Sequence, residues 1–229
     1  DDMWINKEAL QWVFNTFSDK INEAIVFNLN WVYPDSLLPA LQSSKIGQYL
    51  LATNYNSMWG RMQVPGNEPK NGWFTFNMIM SGSLVMTKNL FNKIGGYNES
   101  MIFQGEDNDL ANRINALDIP IFCVFDVKLY HNQTDRLQTN LYFKRVSEGF
   151  NSQFKAIQAG LISPWGRETY GSGSRIIFSI FVFTEKFWLS VLRLTPSKGF
   201  SKINNTIIGK LSGLQRFKSW KRFSKNLKN

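Results

Sequence analysis

The run Gly105-Glu106-Asp107-Asn108-Asp109-Leu110-Ala111-Asn112-Arg113 sets three carboxylates within four residues, directly after a glycine. Leu110, Ile114 and Leu117 follow at helical spacing, so the run opens an amphipathic helix. Acidic side chains in a first helical turn face the positive end of the macrodipole. Taken alone, the run is an acidic helix start. The segments on either side add a second reading.

Upstream, residues 78–86 are apolar but contain Ser81-Gly82-Ser83. Residues 88–94 suit a short helix, and Gly95-Gly96 after it suit a left-handed C-cap. Tyr97-Asn98-Glu99 follow. Downstream, the acidic helix is expected to end near Leu117-Asp118. Residues 119–130 then form a strand, with Ile121, Cys123, Phe125, Val127 and Leu129 alternating with Phe122 and Val124. His131 stands at its end.

Further out, residues 7–22 carry Leu10, Val13, Phe14, Phe17 and Ile21 on one helical face. Residues 23–33 suit a strand, ended by Pro34-Asp35. A helical pattern over residues 37–51 is interrupted by Gly47. Residues 55–76 are irregular and rich in glycine and rings, among them Trp59, Trp73 and Phe74. Such a loop either carries function or packs its own rings on the surface. Beyond His131, a helix spans residues 140–160, a Pro/Gly/Ser linker residues 163–173, and two basic amphipathic segments residues 175–194 and 202–227.

With 43% hydrophobic residues in a chain of 229, there is enough apolar material for a packed core, which argues against disorder. The lone Cys123 rules out an internal disulfide framework. The net charge of +9 is uneven: residues 193–229 hold ten Lys or Arg and no acid, leaving −1 for the first 192 residues. The most apolar run, residues 176–194, is broken by Glu185, Lys186 and Arg193, so no membrane span is expected. The opening Asp1-Asp2-Met3 suggests a fragment or a trimmed chain.

From Ser81 to His131, the order of signals resembles the acceptor-side half of GT-A-fold glycosyltransferases. It is most similar to bacterial family 2 enzymes and to the C-terminal region of the galactosyltransferase family. There, a Gly-Gly-aromatic-x-Glu turn precedes a Gly-Glu-Asp-x-Asp-Leu-x-x-Arg helix start, and a histidine follows the next strand. The resemblance implies an α/β chain: the C-terminal part of a GT-A mixed-sheet fold over residues 1–135, with a helical basic region over residues 136–229. It implies an inverting, metal-dependent transfer of a sugar from a nucleotide-sugar, UDP-linked by analogy, to a saccharide or lipid-linked saccharide.

Such a reaction needs a base for the acceptor hydroxyl and a cation for the leaving diphosphate. By resemblance, Asp107 is the base, and Glu106 with Gly105 positions the acceptor. Asp109 and Arg113 anchor the helix start by local charge pairing. Trp73, Ser81 and Gly82 fall at the donor loop and at the strand facing the sugar. The cation is Mn2+ or Mg2+, held by His131 and by Asp1 or Asp2 as the remnant of an Asp-x-Asp motif. The plainer alternatives are a packed His131 and a polar terminus at Asp1-Asp2. A nucleotide-binding half is expected ahead of Asp1, and without it the sheet would have an uncovered edge.

The basic segments carry Trp and Phe among lysines, which suits an anionic membrane surface contacted through residues 175–229. That implies a cytoplasmic protein, peripheral on the inner face of a membrane. The alternative is a helical pair that packs on the rest of the chain with its basic face solvated. Nucleic acid is not expected as a partner, because the body is neutral and carries no nucleic-acid motif. The competing function is a degenerate, non-catalytic transferase fragment acting as a peripheral membrane module.

Overall fold

The computed structural model describes residues 3–18, 24–54, 57–58, 71–75, 78–99, 101, 105–158, 160 and 172–226. Its elements run β1 (Met3–Trp4), α1 (Lys7–Ser18), β2 (Val26–Val32), α2 (Leu38–Ser43) and α3 (Lys45–Ala52). Then come β3 (Trp73–Thr75), β4 (Leu84–Val85), α4 (Lys88–Ile94), α5 (Glu106–Asn115) and β5 (Ile121–His131). The chain finishes with α6 (Thr139–Gln158), α7 (Ser172–Leu194) and α8 (Ser201–Asn226). It divides into two compact units. The first holds Asp1–Leu38, Thr53–Ser100 and Glu106–Gln133; the second holds Pro39–Ala52, Met101–Gly105 and Thr134–Asn229.

The first unit is a mixed α/β sheet in the order β1-β5-β2-β4, with β3 also pairing with β5. Strands β2 and β5 are parallel, and the remaining pairings are antiparallel. Between the pairs Leu29↔Val124 and Asn30↔Lys128 the register jumps, so Phe125, Asp126 and Val127 have no opposite residue in β2. That bulge breaks the two-residue alternation expected for β5. It also frees the Asp126 carboxylate to accept from Gly72 N–H and Trp73 Nε1–H, each at 3.0 Å, which pins β3.

Val26 and Phe27 are both fully buried and point to opposite faces of the sheet. On the Val26 face, Leu90 and Ile94 of α4 and Leu110, Ala111 and Ile114 of α5 close a core. On the Phe27 face, Trp12, Phe17 and Trp73 pack edge-on around the Phe27 ring, with centroids 4.9–5.6 Å away. Helix α4 is closed at both ends. The Thr87 hydroxyl accepts from Leu90 N–H at 3.2 Å. At the other end, Gly95 N–H donates to Asn92 O and Gly96 N–H to Phe91 O, with Gly95 at φ 91°. This is the glycine-dependent Schellman closure that the Gly95-Gly96 pair suggests.

In the second unit α8 is the central helix, packed by α3, α6 and α7. Its Ile207, Ile208, Leu211, Leu214 and Phe217 are all buried. The helical pattern over residues 37–51 is in fact two helices. Ser44 caps the second, its hydroxyl accepting from Gly47 N–H at 3.0 Å. Gly47 is needed because a Cβ there would fall on the Leu41 backbone. Residues 39–52 pack within the helical unit. Lys45 Nζ caps the C-terminal carbonyls of α7 at Leu192 and Arg193. Among the described residues, no helix is long and apolar enough to cross a membrane.

Candidate active site

The acidic run does start a helix, and Gly105 enters it at φ 116°, a conformation that L side chains rarely adopt. Asp109 and Arg113 form a 2.6 Å ion pair one turn apart, with side chains 13% and 31% exposed. Arg113 does more than pair: it also donates to Ile94 O and Gly96 O, each at 2.7 Å. The guanidinium thus fastens the closing turn of α4 to the start of α5 and satisfies carbonyls that the helix end leaves open. The expected anchoring role of Asp109 and Arg113 is present, with a wider reach than a local pair.

That clamp fixes Asp107. Its Oδ1 accepts from Ser81 N–H at 2.9 Å. Burial, and then the neighbouring Glu106 carboxylate, push the Asp107 carboxyl up to about 6, against an opposing pull from the Ser81 hydrogen bonds. Tyr97 belongs to the same cluster. Its phenol is pushed up to about 12 by burial and then by Asp107 and Glu106, so it stays protonated as a donor. Glu106 Oε2 is buried with no hydrogen-bond partner among the described residues. A buried acceptor without a donor is costly.

The other sequence candidates fall into two groups. A Cβ on Gly82 would lie 3.4 Å from Met3 Cγ, so the Met3 side chain lies over the Ser81–Ser83 turn. Met3 in turn pairs with His131 across β1 and β5. Ser81, Gly82, Asp107 and His131 are therefore linked by successive contacts. The His131 ring packs edge-on to Trp31, with centroids 5.0 Å apart, and its Nε2 lies against the Gln133 amide. Trp73 is not brought to this cluster: it pairs with Val124, near the other end of β5, and its indole is engaged by Asp126.

Asp1 and Asp2 lie outside the described residues, as do Trp59 and most of the 55–76 loop and the 163–173 linker. Among the described residues, no three His, Cys, Asp or Glu side chains converge. His131 alone is not a donor set for a hard divalent cation. Tyr97 is the residue that sequence reasoning undervalued. Its only signal was its place after the glycine pair, where it reads as a turn residue.

The fold and the site together define an α/β protein with a mixed sheet and a carboxylate pair at a helix N-terminus. No protein-family model, curated protein or solved structure matches the chain.

Proposed function

We propose that this chain is the acceptor-side part of an inverting glycosyltransferase of GT-A type. The observation that carries the reading is Asp107: a carboxylate held on the Ser81 N–H at a helix start and pushed to about 6. A base with that pKa is ionised at neutral pH and still basic enough to take a proton from a polarised hydroxyl. In the proposed step, the acceptor oxygen attacks the anomeric carbon of a nucleotide-sugar and its proton passes to Asp107. The bond to the diphosphate breaks, and the diphosphate leaves with the electron pair. Glu106 Oε2 would accept from an acceptor hydroxyl, and Tyr97, whose phenol hydrogen-bonds with Ser81, would line the same pocket. The donor is a nucleotide-sugar, UDP-linked by resemblance, and the acceptor is a saccharide or lipid-linked saccharide.

A divalent cation, Mn2+ or Mg2+, belongs to the same proposal, with His131 and Asp1 or Asp2 as ligands; its chemistry would be to neutralise the leaving diphosphate. The second reading, a non-catalytic module on an anionic membrane surface at the inner face of a membrane, is favoured by the exposed apolar residues of α7. The deciding assay is sugar transfer from a panel of nucleotide-sugars with Mn2+, by the protein as its gene encodes it. Loss of transfer in Asp107→Asn with the fold intact supports the enzyme; undiminished turnover in that variant sinks it.

A further inference from the structure

Helix α7 turns more apolar surface outward than a bundle helix requires. Ile176, Ile180, Phe183, Phe187 and Leu194 form an exposed stripe along it, and Phe183 is 89% exposed. At about 100° per residue, this stripe borders a second row, Phe181, Trp188 and Val191. That row is one wall of a groove between α7 and α8, with a volume of about 290 Å³. On α8, Lys202, Thr206 and Lys210 follow at four-residue steps and line the same groove. The Lys210 ammonium sits 5.4 Å from the centre of the Phe181 ring. Glu185 is the sole carboxylate of residues 172–226, and it is engaged by Lys218 and Gln215. It is not among the residues that line the groove.

An apolar wall, two ammonium groups at the rim and no opposing acid recognise one kind of molecule. We propose that the α7–α8 groove binds a single anionic amphiphile. Its hydrocarbon chain lies along Phe181, Trp188 and Val191, and its phosphate or carboxylate head sits between Lys202 and Lys210. The continuous apolar surface from groove to stripe suits a lipid taken up from a membrane surface. The site uses neither Asp107 nor a metal, so it stands apart from the transferase reading.

The test titrates the full chain with lysophosphatidylglycerol below its micelle concentration, read by calorimetry and native mass spectrometry. Lysophosphatidylcholine and inorganic phosphate are the comparison arms. Saturable one-to-one binding of the anionic lipid is expected, with the zwitterionic lipid weaker by at least about fivefold. Lys202→Gln and Lys210→Gln should each weaken binding by about fivefold, and Thr206→Trp, which fills the groove, should abolish it. All three positions are exposed, and an unchanged circular dichroism spectrum verifies folding. Equal affinity for the two lipids, full competition by inorganic phosphate, undiminished binding by Thr206→Trp, or the absence of saturable binding would each overturn the proposal.

Discussion

The two units use charge in opposite ways. In the sheet unit, charge is concentrated inward: Asp107 and Glu106 crowd one another beneath Ser81 and Tyr97, and Asp109 is locked to Arg113. In the helical unit, charge is spread outward, and the cations of α8 surround a helix whose apolar residues are already spent on α3, α6 and α7. The first arrangement costs stability, because it buries a carboxylate beside a like charge. The second costs little, and leaves α7 to present apolar surface. A basic amphipathic pattern therefore says different things on two adjacent helices: on α8 it marks the core of a bundle, and on α7 an unpartnered face.

Four substitutions probe that contrast, from largest effect to smallest. Asp107→Asn keeps an acceptor for the Ser81 N–H but removes the proposed base. Turnover in a transferase assay should fall by roughly 10²–10⁴-fold, with the fold retained. Arg113→Ala strands the Asp109 carboxylate and two carbonyls. Urea denaturation should show a loss of about 2–3 kcal/mol. Phe183→Ser, on the exposed stripe, should leave stability within about 0.5 kcal/mol yet weaken partition onto anionic vesicles by about tenfold. Unchanged partition would mean that α7 does not face a membrane.

The smallest effect is a shift in pH dependence. Because Asp107 sits near 6 rather than at the ordinary 3.8, the folded protein binds the proton more tightly than the unfolded chain. Stability should thus fall as pH rises from about 4 to 6, while base-dependent activity rises through about 6. Glu106→Gln removes the like charge and should move both transitions to lower pH, measured as a pH–rate profile and as denaturant midpoints across that range.

Much of the sheet unit is legible from residues alone, because its signals are local. Gly95 and Gly96 close α4, and the Gly105-to-Asp109 run starts α5. What was not legible depends on distant partners. Nothing in Met3–Trp4 marks a strand; two residues carry no alternation, and only β5 makes them one. Trp73 falls at the donor loop by resemblance, and nothing in its sequence shows that Asp126, looped out by the β5 bulge, accepts from its indole. Gly47 looks like an interruption, and its purpose lies in the Leu41 backbone against it.

The pairing of β5 also sets when this protein can fold. Strands β1, β2 and β3 all bond to β5, yet it is the last of the five to be made. Until residue 121 and its successors leave the ribosome, β1 and β3 lack their only strand partner among the described residues, and β2 has β4 and a single bridge from Val32 to Ser57. Parallel pairing across about ninety-five residues, as between Val26 and Ile121, closes slowly. The nascent chain therefore spends the interval with open strand edges and an aromatic cluster unsheltered, the period in which a chaperone would matter most.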